Sequence, residues 1–351
     1  MGYSLNLIII NDTHLGVNRQ TGTTPQTQKD LSEHNNRQFW NLLNLADGSD
    51  LLINGDLFDS SEVGKIVEFQ TYVVLKTWCQ RNSNNKLFLA AGNHDLSKSS
   101  DKISSFNNLT AYLEDTVENI IIIKDEHREI YPNVFVIPHV MNQELFDSEL
   151  EAVLLKQPKY VFLHANFNNK FAAQTDHSLN VSAAMAQRFA AVGCELIFAH
   201  EHNKREVGNV HIIGNQIITS VADCLDTDAK QYLRLDNQGL HYQVYEQVAD
   251  RFAEVDWTSA DVPDKDFIRI IGQADYEAAS DVIARVRKIR QESNAFVVSN
   301  AVEIKAITGG AMADMQDIRN YDIAKLVDER LPEQLRVRFQ EVVSKTQGDT
   351  I

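Results

Sequence analysis

The sequence predicts an α/β protein: a layered sheet flanked by helices, then a small α+β domain and C-terminal helices. Three observations lead there. Short runs rich in Ile, Leu, Val and Phe recur through the first 200 residues, segments with helical spacing separate them, and a polar stretch near residue 250 precedes a second, shorter pattern. Alternating strand and helix is the signature of a sheet whose faces are covered by helices.

Five runs read as buried strands: 5–10, 51–53, 87–91, 160–163 and 196–199. Between them, Phe39, Leu42, Leu43 and Leu45, then Ile66, Phe69, Val73 and Trp78, recur at helical spacing, and Val153 and Leu154 lie in a segment that ends before Pro158. From about residue 210 short strands with Gly and Asn turns take over, at 210–213, 217–219, 232–235 and 240–245. Residues 1–248 are therefore expected to form one domain. The polar stretch 250–266, with Pro263, reads as a linker, and 267–271, a helix over 281–290 and 296–298 suggest a β-α-β unit in a small domain over 249–310. Gly309 and Gly310 break the chain again. Over 311–351, Ile323, Leu326, Val327 and Leu331, then Leu335, Phe339, Val342 and Val343, mark two amphipathic helices, the second started by Pro332.

The chain has 351 residues, of which 49 are acidic and 33 basic, a net charge of −16. No apolar run approaches the roughly 20 residues that cross a bilayer, the N-terminal apolar run has no basic region before it, and Asn6 stands where a myristoylation signal needs Ser or Thr. The chain is expected in the cytoplasm. Cys79, Cys194 and Cys224 are scattered without CxxC spacing, as in a reducing compartment with no thiolate metal site. The acidity argues at first against a nucleic-acid partner.

Each of the five strands ends in polar residues of one kind. They are Asp12-Thr13-His14, Gly55-Asp56-Leu57-Phe58-Asp59, Gly92-Asn93-His94-Asp95, His164, and His200-Glu201-His202. Strand C-termini converge on one sheet edge, so these groups are expected to meet despite their separation in sequence. Mixed carboxylate, amide and imidazole donors without thiolate suit Mn²⁺, Fe²⁺ or Zn²⁺, and their number exceeds what one catalytic ion takes. Two ions sharing a carboxylate would serve phosphoester hydrolysis. The remaining histidines, among them His34, His139, His177 and His211, have no such setting and read as ordinary structural residues.

These motifs resemble the five motifs of the calcineurin-like metallophosphoesterases. Asp12-Thr13-His14-Leu15-Gly16, Gly92-Asn93-His94-Asp95 and the small domain after the last motif are similar to the DNA repair and recombination nuclease branch, which includes SbcD and phage recombination endonuclease subunits. The resemblance implies a β-sandwich fold with a capping domain. It also implies that Asp12, His14 and His202 hold one ion, that Asn93, His164 and His200 hold the other, and that Asp56 bridges them. Mn²⁺ is the ion expected, with Mg²⁺, Fe²⁺ or Zn²⁺ as alternatives. His94 would stand beside the scissile phosphate, oriented by Asp95. The sequence departs from the pattern at Asp59, where many members of the branch have His, and at Ala199, where the last motif usually has Gly.

A protein phosphatase of the same superfamily typically shows Arg-Gly after the second motif and GNHE in the third, where this chain has Ser60-Ser61 and GNHD. A small-nucleotide phosphodiesterase is the alternative, since the motifs describe the phosphate chemistry and not the leaving group. A scaffold without activity would lack ligands, and none is missing. The resemblance further implies DNA as substrate, a homodimer, and an SbcC-like ABC-type ATPase docked on a C-terminal helical segment, here 317–346. Lys204 and Arg205, and Arg285, Arg287, Lys288 and Arg290 on the helix of the small domain, are the candidates for phosphate contacts. Residues 101–160 alone hold 11 acidic and 5 basic groups, 5 − 11 = −6, away from every motif. The acidity then implies a partner that supplies the positive surface.

Overall fold

The computed structural model describes residues 5–18, 22–97, 99, 101–169 and 178–305. The helices expected over 317–346 lie outside the described residues. By its contacts the chain divides into two units, Met1–Gln273 with Ser280–Glu303, and Ala274–Ala279 with Ile304–Ile351. Everything that follows concerns the first.

In chain order the strands are β1 (Asn6–Ile10), β2 (Asp50–Asn54), β3 (Leu87–Ala90), β4 (Ile120–Ile123), β5 (Arg128–Tyr131), β6 (Val134–Ile137) and β7 (Tyr160–His164). A short pair, β8 (Asn166–Phe167) and β9 (Asn180–Val181), precedes β10 (Glu195–Ala199), β11 (Arg205–Val207), β12 (Val210–Ile212), β13 (Ala229–Asp236) and β14 (Gly239–Gln247). They form two six-stranded sheets, ordered β14-β13-β1-β2-β3-β4 and β11-β12-β10-β7-β6-β5. The five predicted strands are all present and divide between the two sheets, as the β-sandwich implied by the resemblance requires. The expected strand at 217–219 is irregular chain, and β4 to β6, which the sequence reading passed over, carry the chain from one sheet to the other.

The apolar runs do not alternate because both faces of each strand are covered. Ile8, Ile10, Leu51, Ile53, Leu87 and Leu89 face α1 (Pro25–Leu45), α2 (Lys65–Arg81) and α3 (Ser105–Glu114), packing on Phe39, Leu43, Leu75, Trp78 and Phe106. The alternate residues Leu7, Ile9, Leu52 and Phe88 pack between the sheets on Val134, Val136, Phe162 and Ile197. The outer face of the second sheet, with Val161, Leu163, Leu196 and Phe198, is covered by α4 (Gln143–Leu154) and the helix Ala183–Ala191 through Phe146, Leu150 and Phe189. The result is a helix–sheet–sheet–helix sandwich.

Local signals set the helix ends. Thr24 and Thr27 form a reciprocal capping box ahead of Pro25, and Ser104, Asn142 and Ser182 each accept an amide of the first turn. On α2 the helical spacing misleads: Thr71, Leu75, Trp78 and Cys79 face the core, whereas Ile66, Phe69 and Val73 are exposed.

The β-α-β unit is present as β16 (Phe267–Ile271), the helix Ala279–Glu292 and β17 (Val297–Asn300), with β15 (Phe252–Asp256) completing a parallel sheet β15-β16-β17. Phe267 and Val297 pack with Val17, Leu31 and Ile218 of the sandwich. Cys79, Cys194 and Cys224 are buried and free, and burial pushes each thiol up to about 12, so they act as small apolar residues. No helix of the described residues is long and apolar enough to cross a membrane.

Candidate metal centre

The parallel strands β1, β2 and β3 of one sheet and β7 and β10 of the other end at the same edge of the sandwich, and the seven expected donors gather there. The first two loops are stitched by main-chain bonds: Asp12 N to Gly55 O (3.1 Å), His14 N to Asp56 O (3.0 Å) and Leu15 N to Leu57 O (2.8 Å). Asp12, His14, Asp56 and His200 have φ of 50°, 44°, 48° and 87°. Non-glycine residues rarely occupy this left-handed region, and clusters of them mark sites where the backbone is held to a functional geometry.

Two glycines make room for the side chains. A Cβ on Gly55 would stand 2.1 Å from His164 Nδ1, and one on Gly92 would stand 2.2 Å from both the amide nitrogen and Oδ1 of Asp56. At Gly55 the backbone is also left-handed, with φ of 87°.

Asp12 is fully buried and accepts the His200 amide at 3.1 Å and the side-chain amide of Asn11. Asp56 Oδ1 accepts the His94 amide at 2.9 Å, while Oδ2 lies 3.3 Å from His164 Nε2 and 3.8 Å from His14 Nε2, between the two halves of the cluster. On one side His14 Nε2 faces His202 Nε2 at 3.0 Å. On the other, Asn93 Oδ1 lies 2.9 Å from both His164 Nε2 and His200 Nδ1. Donors set about 2 Å from one ion at right angles stand about 3 Å apart, so the spacing of these atoms fits a cation on each side.

Electrostatics point the same way. Burial would push the Asp56 carboxyl up, yet His164, His14 and His94 hold it well below the usual range. Burial would pull His164 down, but Asp56 and Asp12 raise it to about 9, and His14 is likewise raised against its burial by Asp59, Asp56 and Asp12. The buried carboxylates demand positive charge; protons meet the demand on imidazoles that must be neutral to ligate, so ion binding displaces them.

His94 closes one flank, its ring edge-on to His14 with centroids 5.0 Å apart. Its orientation corrects the sequence reading. Asp95 does not touch the His94 ring: the Asp95 carboxylate accepts the amides of Phe58 (2.9 Å), Gly92 (2.9 Å) and Leu57 (3.2 Å). Burial and repulsion from Asp56 push it up to about 6. The ring is held instead by the main-chain oxygen of Asp59, 2.6 Å from Nδ1. Three amides converge on Asp95, which ties the second and third loops together.

Two residues outside the motifs belong to the centre. Asp223 Oδ1 lies 2.8 Å from His202 Nδ1, and although burial would push this carboxyl up, the His202 contact and the field of Lys230 hold it well below the usual range. Asn11 links Asp12 to the Gly214 carbonyl, which it meets at 2.9 Å. Their one sequence signal is a polar residue set in an apolar segment.

The candidate phosphate contacts are less concentrated than expected. Lys204 lies 3.9 Å from Glu206 and stacks over Tyr242, and Arg205 pairs with Glu201 at 2.7 Å. Arg285 is buried and donates to the Asp261 carbonyl, Arg290 donates to the Val298 carbonyl at 3.1 Å, Lys288 lies 4.0 Å from Glu292, and Arg287 is exposed. Outside the centre, His34 faces Arg251, and His211 bonds Tyr242 and Glu195.

Among family models, that of the calcineurin-like phosphoesterases matches residues 5–244. No curated protein matches the chain. One solved structure that matches is the cold-active protein-tyrosine phosphatase of a psychrophile, Shewanella sp., 10% identical over 68% of this chain and 78% of that one, with a TM-score of 0.32.

Proposed function

Starting from the fact that the chain belongs to the calcineurin-like phosphoesterase family, whose members hydrolyse phosphoesters with bound metal, we propose that it is a two-metal DNA nuclease acting in repair or recombination. The observation that carries this reading is a cleft of about 520 Å³ beside His94, bordered by Asn93 and His200 and continued by Ser60, Ser61, Ser97 and Lys102. The described residues do not enclose it. Small-molecule pockets enclose most of their ligand, whereas a polymer must enter and leave sideways.

The donor set fits two divalent ions. Asp12, His14 and His202 would hold one, Asn93, His164 and His200 the other, with Asp56 between them. When bound, the ions supply positive charge to the phosphate oxygens and activate the attacking water. The chain's own part centres on His94. With Nδ1–H given to the Asp59 carbonyl, Nε2 is the atom left to meet a substrate oxygen, and in its protonated form the ring can deliver that proton to the oxygen leaving the phosphodiester. Asp95 holds the loops that place both Asp56 and His94.

The basic side chains near the cleft are already engaged, Lys102 with Glu62 at 2.9 Å and Arg205 with Glu201. Together with the net charge of −16, this supports weak DNA affinity alone and a second subunit, an SbcC-like ATPase, that supplies a positive surface. The chain would work there as one of a pair.

The test incubates the protein and His94→Ala with labelled double- and single-stranded DNA, a phosphopeptide and a cyclic dinucleotide, in Mn²⁺ or Mg²⁺. DNA cleavage lost in the variant is the expected result. DNA left intact while the dinucleotide or the phosphopeptide is hydrolysed would replace the nuclease reading with one of the other two.

A further inference from the structure

We propose that Lys102 is a specificity-determining residue: it takes a phosphate next to the scissile one, and Glu62 holds it off that phosphate until substrate arrives. The inference rests on the nuclease reading above, in which a strand of phosphodiesters brings a second phosphate to the cleft.

One wall of the cleft is built from the chain that follows the second and third motifs. Ser61 and Glu62 come after Asp59, whose main-chain oxygen holds His94, and Ser99 and Lys102 come after Asp95. Hydrogen bonds tie the two segments together: Ser105 N donates to Ser61 O at 2.8 Å, and Val63 N to Ser105 Oγ at 3.1 Å. Among the described residues that line the cleft, Lys102 is the one lysine or arginine. It stands on the same wall as His94, within the space where a bound strand would continue past the scissile phosphate.

Lys102 Nζ lies 2.9 Å from Glu62 Oε1, with 58% of the lysine side chain and 62% of the glutamate side chain exposed. A pair so exposed adds little to stability, and the bonds through Ser105 already join the two segments. What the pair does is neutralise the cation. A lysine is a point charge on a flexible stem, so it can leave a carboxylate in water for a phosphate whose place is fixed by the strand bound at His94. That contact is charge-assisted and releases the counterions of the strand, which the contact with Glu62 does not. Glu62 and the substrate therefore compete for one ammonium group, and removing either side chain of the pair must act on binding with opposite sign.

The experiment measures binding of a fluorescent single-stranded oligonucleotide to full-length His94→Ala in Mn²⁺ across a salt series, and adds Glu62→Gln, Lys102→Gln and both together to that background. Glu62→Gln should tighten binding by about threefold. Lys102→Gln should weaken it by about 3- to 10-fold and lower the slope of its salt dependence by about one. With Lys102 already replaced, Glu62→Gln should add nothing. Losses in both single variants would mark the pair as a strut between the two segments and overturn the proposal. So would no change in either, or a gain from Glu62→Gln that persists without Lys102, which is a general charge effect; each of these leaves the nuclease reading intact. If the chain with His94 in place hydrolyses bis(4-nitrophenyl) phosphate but neither binds nor cuts the oligonucleotide, the nuclease reading falls, and this inference with it.

Discussion

His94 Nδ1 stands 2.6 Å from the main-chain oxygen of Asp59, while the carboxylate next along the chain, Asp95, turns away to gather the amides of Leu57, Phe58 and Gly92. The two neighbours therefore fail differently when changed. His94→Ala is expected to lower phosphodiester turnover by about 100-fold or more and leave Mn²⁺ binding in place. Asp95→Asn leaves at least one buried amide without an acceptor, at a cost of about 1–3 kcal/mol, read as a lower melting temperature in chelator.

Alanine at Gly55 or Gly92 tests the space those residues leave. The added methyl would meet the His164 ring in one case and Asp56 in the other. Either change is expected to weaken Mn²⁺ uptake and to destabilise the chain by about 2 kcal/mol or more, measured by calorimetric titration and urea unfolding. Unaltered ion binding in both variants would contradict the packing described.

Metal removal should cost stability as well as activity, because the ions bind the folded centre and not the unfolded chain. At 100 times its Kd, each ion adds about 2.7 kcal/mol. The melting temperature should rise steadily with Mn²⁺ and fall back on chelation, and Asp56→Asn should flatten the response.

His34 gives a pH dependence away from the centre. Burial, reinforced by Arg251 and Arg37, lowers it from 6.5 to about 4. The unfolded chain then takes up a proton at higher pH than the folded one, so the stability this residue contributes is complete above pH 6.5 and is lost as pH falls toward 4, by up to about 3 kcal/mol. In His34→Gln, melting temperatures measured in chelator at pH 7.5 and 5 should differ by several degrees less than in the wild type.

The strands and the site were legible in the sequence for one reason: each ligand-bearing strand is buried on both faces and then stops at a residue with no place in a core. Leu7 to Ile10 followed by Asp12 is such a boundary, and so is Phe198-Ala199 followed by His200. The two sheets of the sandwich were legible only through the family resemblance, because a doubly buried run by itself looks the same in either sheet. On α2, Ile66, Phe69 and Val73 keep helical spacing yet face outward, since apolar spacing does not say which side of a helix is covered. Asp223 was invisible for a different reason, as its role depends on meeting a histidine 21 residues away. Ala199, a departure from the usual glycine, does no harm: it is buried and in register beside His164, and the left-handed turn falls on His200.

The two-sheet origin of the centre makes it a gauge of complete assembly. Asp12, Asp56 and Asn93 arrive on one sheet, and His164, His200 and His202 on the other. The first of those sheets has β1 bound on one side by β13, from the far end of the core. Neither half can recruit an ion pair alone. A nascent chain that ends between residues 203 and 228 would carry every candidate ligand and still lack the strand that flanks β1, so the full set of donors alone does not complete the cradle of this phosphoesterase.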